Sequence, residues 1–148
     1  MKEAVLSLYE GGDPAALPAL TTVFELDPDK AVKRAAACGL ANIPDTAVAP
    51  VLLSVLAATD RATRAHAILA LGRLQARDAV PALLPLLDDH YARIVAADAL
   101  VAIGDERALE PLKQAAARGP GWRRRRLRER VRKLEAALGL RQDVNDQQ

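Results

Sequence analysis

Residues Asp60 to Leu87 read DRATRAHAILALGRLQARDAVPALLPLL, a short helix, a tight turn and a second helix opening on a proline. The same pattern stands on either side. Asp29 to Leu56 reads DKAVKRAAACGLANIPDTAVAPVLLSVL, and Asp89 to Ala116 reads DHYARIVAADALVAIGDERALEPLKQAA. Aligning Ile43 with Leu74 brings Asp29 onto Asp60, Lys33 onto Arg64, Leu40 onto Leu71 and Pro50 onto Pro81, an offset of 31. Aligning Leu74 with Ile103 brings Asp60 onto Asp89, Arg64 onto Arg93, Leu71 onto Leu100 and Leu83 onto Leu112, an offset of 29. The difference falls in the connection, where Ala57-Ala58-Thr59 precedes Asp60 but Asp88 alone precedes Asp89. Loops absorb such length changes, so the recurrence is a structural repeat.

The shared positions have physical roles. Asp29, Asp60 and Asp89 precede helical patterns and can accept hydrogen bonds from free first-turn N–H groups. Ala36, Gly39, Leu40 and Ile43 form one apolar stripe; Ala67, Ala70, Leu71 and Leu74, and Ala96, Ala99, Leu100 and Ile103, form the next two. Their small residues let helices approach closely. Pro50, Pro81 and Pro111 mark early turns of second helices, where a missing N–H costs least. Gly104-Asp105 makes the bend in the last copy. A shortened copy precedes these, with Ala4–Tyr9 as a first helix and Leu17, Leu20, Val23 and Phe24 as the stripe of a second.

The composition agrees. Of 148 residues, 51% are hydrophobic but only 3% aromatic, so the core is built from Ala, Leu, Val and Ile, which favours close-packed helices. The single Cys38 excludes an internal disulfide. No apolar run approaches the roughly 20 residues that span a bilayer. The start, MKEAVLSLYEGGD, does not read as a secretory signal. A cytoplasmic protein that inserts in no membrane is expected.

The repeat pattern stops after Arg118. Gly119-Pro120-Gly121 breaks the chain, and WRRRRLRERVRKLEAAL begins a longer helix with Leu127, Val131, Leu134 and Leu138 on one stripe. The simplest reading is a cap over the last hairpin, with Gly139 ending it. The expected organisation is an all-α solenoid of about four helical hairpins over residues 1–118, a basic amphipathic cap over 119–139 and a mobile tail over 140–148.

Charge sharpens that division. Residues 1–117 hold 11 Lys/Arg against 15 Asp/Glu, whereas residues 118–133 hold 9 against 1. Arg123, Arg124, Arg125, Arg126, Arg128 and Arg132 are therefore candidate ligands for an anion or an acidic partner. Like charges four residues apart weaken a helix, which points to an opposing partner. Three readings compete: a solvated cap partly neutralised by the acidic solenoid, an acidic protein, and nucleic-acid phosphate with Arg as donor. Trp122 either stacks on a base or packs beneath the cap.

Hairpins of this length, with an Asp before the first helix and a basic residue four positions later, resemble HEAT-like repeats. Ile103-Gly104-Asp105-Glu106-Arg107-Ala108-Leu109-Glu110-Pro111-Leu112 is similar to the inter-helix segment of the phycobilisome-lyase variety. The likeness covers roughly residues 4–117; Pro44 and Gln75 stand where the last copy has Gly104, so their bends differ. The resemblance implies a non-catalytic protein-interaction module or adaptor, binding on the curved surface of the second helices. By family geometry the partner-facing positions are Thr21, Glu25, Ser54, Pro85 and Gln114. It also implies an alternative, a subunit of a lyase-type complex acting on a tetrapyrrole-bearing protein. Nucleic-acid binding through the Arg-rich helix is the other alternative.

No catalytic pattern emerges. His66 lies inside a helix and reads as packed or partly exposed, and His90 as a solvated first-turn residue. Two histidines and one cysteine without short ligand spacing do not make a zinc site, so neither metal nor cofactor is expected. Cys38 has no evident activating partner. Asp88-Asp89 reads as capping carboxylates, not an acid–base pair.

Overall fold

Carboxylates set where the helices begin. In the computed structural model, which describes residues 12–58 and 60–140, Asp29 accepts a hydrogen bond from Ala31 N at 2.8 Å and Asp60 from Thr63 N at 3.0 Å. Asp89 accepts from Tyr91 N at 2.8 Å and Ala92 N at 2.9 Å, one turn before its helix. A second set of carboxylates starts the return helices: Asp13, Asp45 and Asp105 accept from Ala15, Ala47 and Arg107 N, each at 2.9 Å. Each leads through one 3-10 turn into a helix.

The described residues form eight α-helices and no strand. In chain order they are α1 (Leu17–Leu26), α2 (Lys30–Asn42), α3 (Ala49–Ala58), α4 (Arg61–Arg73), α5 (Val80–Leu83), α6 (Arg93–Ile103), α7 (Leu109–Ala117) and α8 (Gly121–Ala137). First helices α2, α4 and α6 stack in one layer, and second helices α1, α3, α5 and α7 occupy the other. Leu20, Leu40, Ile43, Leu52, Ile68, Leu71, Leu83, Leu100 and Leu112 are fully buried between them. Small residues set the spacing: a Cβ added to Gly72 would lie 2.8 Å from Ala99 Cα, so only glycine lets α4 approach α6 this closely.

Inter-copy polar ties reinforce the stacking. Arg73 donates to Ala41 O at 2.8 Å, Arg107 to Arg77 O at 3.1 Å and Gln75 Nε2 to Ala102 O at 3.2 Å. The recurring basic residue also acts here. Lys33 Nζ reaches Glu25 O at 3.5 Å near the end of α1, and Arg93 donates to the carbonyls of Leu87 and Asp88. Cations at the carbonyl end of the preceding second helix are placed where its dipole favours them.

Three features depart from a uniform repeat. The second helix of the third copy gives way after Leu83 to a 3-10 segment, Leu84–Asp88, because Pro85 cannot donate an N–H to the Pro81 carbonyl. The inter-helix bend takes three forms: extended backbone at Ile43 before Pro44, a left-handed glycine at Gly104 (φ 71°), and a left-handed Gln75 (φ 51°). In the third departure, the pattern does not stop at Arg118. Helix α8 packs against α6 and α7 as a first helix packs on the preceding copy. Its backbone start repeats theirs: Lys33, Arg64, Arg93 and Arg124 N donate to Asp29, Asp60, Asp89 and Pro120 O. Helix α8 thus covers the last hairpin from the place of a further first helix, with Leu127 and Leu134 fully buried and Val131 nearly so. It ends at Gly139, left-handed at φ 76°, with Leu140 N donating to Glu135 O at 2.9 Å. The expected first helix at Ala4–Tyr9 and the tail beyond Leu140 lie outside the described residues.

Candidate interaction surfaces

The exposed side of the second-helix layer is ordered in rows. Pro18, Pro50, Pro81 and Glu110 occupy equivalent positions in successive copies and are all exposed. One turn on, Thr22, Ser54, Pro85 and Gln114 form a middle row, and a turn further Glu25, Ala57, Asp88 and Ala117 form a third. The middle row carries no formal charge; the acids sit in the two outer rows. Its hydroxyls are turned onto their own helices, Thr22 Oγ1 to Pro18 O at 3.0 Å and Ser54 Oγ to Pro50 O at 3.4 Å.

Of the five positions expected to face a partner, Glu25, Ser54, Pro85 and Gln114 fall in these rows. Thr21 does not: it is half-buried and its hydroxyl donates to Leu17 O at 2.7 Å. Thr22 is the residue in register, because the Asp13 copy aligns with the Asp45 copy at their matching 3-10 turns. Pro111 likewise stands one position after Glu110, the residue equivalent to Pro81.

The basic helix is partly matched and partly free. Arg130 lies against α6, its Nε 2.8 Å from Asp98 Oδ1, and Arg118 reaches Asp88 at 3.4 Å. Arg123 is half-buried, its Nη2 3.2 Å from His90 Nδ1, so it faces the solenoid more than solvent. Arg125 makes a long, exposed pair with Glu129 at 3.8 Å. Arg124, Arg126, Arg128, Arg132 and Lys133 are exposed and make no ion pair among the described residues. The acidic solenoid therefore neutralises one edge of α8 and leaves the rest.

Trp122 is 61% exposed and does not pack beneath the helix. It borders an open hollow of about 490 Å³ with Arg125, Arg126 and Glu129. A second hollow of about 310 Å³ runs between α7 and α8, floored by Ala116, Ala117 and Val131 and edged by Lys113, Arg128 and Arg132.

The remaining reactive groups have structural surroundings. His66 is exposed. Cys38 is half-buried, and burial, with the Asp60 carboxylate, raises its thiol pKa against the opposing pull of Arg34. Backbone N–H groups of Ala92 and Tyr91 hold Asp89 below the usual carboxylate range, as a cap does. No cluster of metal-ligating side chains occurs among the described residues. None of their helices is long and apolar enough to cross a membrane.

Two stacked layers of antiparallel helix pairs in fixed register define an α-solenoid. The chain matches the family described as HEAT repeats twice, over residues 19–100 and 49–132, and it belongs to that family. The second match runs into α8, in agreement with that helix continuing the first-helix layer. No curated protein matches the chain. HEAT repeats commonly serve as protein-interaction scaffolds and are generally non-catalytic.

Proposed function

We propose that the protein is a non-catalytic adaptor that docks a partner protein on its second-helix face. The observation that carries this is the uncharged middle row, Thr22, Ser54, Pro85 and Gln114, between outer rows that hold Glu25, Asp88 and Glu110. Interface cores are depleted of charge and their rims are polar, because burying an unpaired charge costs far more than burying a proline or a bonded hydroxyl. Between them, α1 and α3 hold one charged residue, Glu25, whereas α2 and α4 hold Lys30, Lys33, Arg34, Arg61, Arg64 and Arg73. Water is displaced most easily from the second-helix side.

The test compares the parent with a Thr22→Arg/Ser54→Arg double variant in affinity purification from the host. Both sites are exposed helical positions, so the melting curve is expected to be unchanged. Loss of specifically recovered proteins supports the reading. Recovery of the same proteins by both forms rejects this face.

A further inference from the structure

The exposed charged residues of α8 are Arg124, Arg125, Arg126, Arg128, Glu129, Arg132 and Lys133, six cations and one acid. A terminal cap needs a polar outer side, but either sign supplies it. Arg128 occupies the position of buried Ala37, Ile68 and Ala97, and Arg132 that of buried Ala41 and Gly72. Those are the sides that inner copies turn toward the next copy, as the approach of Gly72 to Ala99 shows. Capping accounts for polarity at those two sites alone. Arg125, Arg126 and Lys133 lie at outward positions where earlier copies carry Ala65, Ile94, Ala35, Val95, Asn42 or Ala102. Arg124, Arg128 and Arg132, four residues apart, form a row with a cation about every 6 Å. Such a row weakens the helix that carries it unless an anion lies across it. All but one of the cations are Arg, whose planar fork matches phosphate.

The aromatic residues make the second observation. Tyr91 and Trp122 occupy the same repeat position 31 residues apart, and they are exposed by 57% and 61%. Each ring has a guanidinium beside it: Arg61 lies 3.2 Å from the Tyr91 centroid and Arg123 5.3 Å from that of Trp122. The His90 ring meets Tyr91 edge-on at 5.1 Å and contacts Arg123, so the two positions are joined. An acidic peptide would use the guanidinium groups and leave the exposed rings without a role. A nucleic acid uses both, phosphates on the arginines and bases on the ring faces. Duplex DNA offers no free base faces, which favours an unpaired strand.

We propose that α8, with the neighbouring edge of α6, is a binding surface for single-stranded nucleic acid. Phosphates lie along the Arg124–Arg128–Arg132 row and beside Arg125 and Arg126, and a base stacks on Trp122 over the adjoining hollow. This surface is separate from the second-helix face and does not depend on a protein docking there.

The probe is a fluorescein-labelled oligodeoxythymidylate, followed by anisotropy in a salt series and by fluorescence of Trp122, the single tryptophan of the chain. Binding at low salt is expected to quench the tryptophan. An Arg124→Gln/Arg128→Gln/Arg132→Gln variant should flatten the plot of log affinity against log salt by about 2, at roughly 0.7 per lost phosphate contact. Trp122→Ala should weaken binding about tenfold or more with the slope retained. All these positions are exposed, and an unchanged melting curve confirms folding of each variant. Absence of binding at low salt overturns the proposal, as does unweakened binding by Trp122→Ala. Equal competition by polyglutamate of the same charge also overturns it, in favour of an acidic protein surface.

Discussion

Arg130 Nε lies 2.8 Å from Asp98 Oδ1 and its Nη2 3.4 Å from Oδ2, across a sequence gap of 32 residues. This forked pair fixes the rotation of α8 on α6, turning Leu127, Val131 and Leu134 inward and Trp122, Arg125 and Arg126 outward. The arginine side chain is 18% exposed and the carboxylate 42%, so solvent screens part of the attraction. Arg130→Gln should cost about 1 kcal/mol, a few degrees of Tm for a chain of this size. In a double-mutant cycle with Asp98→Asn the losses should be less than additive. Strict additivity would show that the pair holds nothing in place.

Removing the helix altogether is a harsher test. A chain ending at Arg118 loses burial of Leu127, Val131 and Leu134 and uncovers the apolar sides of α6 and α7. At about 1.5–3 kcal/mol per buried aliphatic side chain, the loss is comparable to the stability of many whole domains. Aggregation or a Tm lower by well over ten degrees is expected. A truncated chain that melts like the parent would show α8 to be dispensable to the solenoid.

How far this architecture was legible in the sequence follows from which residues carry each feature. The hairpins were readable because Asp29, Asp60 and Asp89 recur with their stripes, and each of those carboxylates does cap a turn. Helix α8 was separated from the repeat for a physical reason. Pro120 replaces the capping Asp, and Arg128 and Arg132 replace the apolar side that inner copies show their neighbour. Position 127 was legible as core, but not the fact that its helix sits in the first-helix layer. The face of the second helices was readable to within one residue; only the matching 3-10 turns at Pro14–Ala16 and Thr46–Val48 distinguish Thr22 from Thr21. The pairing of Tyr91 with Trp122 depended on extending the register into α8. Counting 31 residues on from Tyr91 would have found it.

Two glycines separate packing from backbone strain. A Cβ at Gly72 would press on Ala99 at 2.8 Å, so Gly72→Ala should force α4 from α6 and cost about 1–3 kcal/mol. At Gly104 the nearest atom is 4.0 Å away, but φ is 71°, so Gly104→Ala should cost only the left-handed conformation, about 1–2 kcal/mol. Ala99→Gly should rescue the first variant in part and leave the second untouched. Rescue of both, or of neither, would contradict this division.

Acid should act through the capping carboxylates. Asp105 is held down at about 2 by hydrogen bonds from the Arg107 side chain and backbone N–H, and first-turn N–H groups lower Asp60 and Asp89 in the same direction. A carboxylate whose folded pKa lies below its unfolded value of about 3.9 stabilises the fold fully above that value. The contribution disappears as pH falls toward the folded pKa. The Tm should therefore be level above about pH 5 and fall steadily between about pH 4 and 2. Asp105→Asn keeps a side chain able to cap the Arg107 N–H but cannot pair with its guanidinium. That variant should start lower at pH 7 and lose less on acidification, so the two curves converge near pH 2. Parallel curves down to that pH would show that the Asp105–Arg107 pair has no part in the acid response.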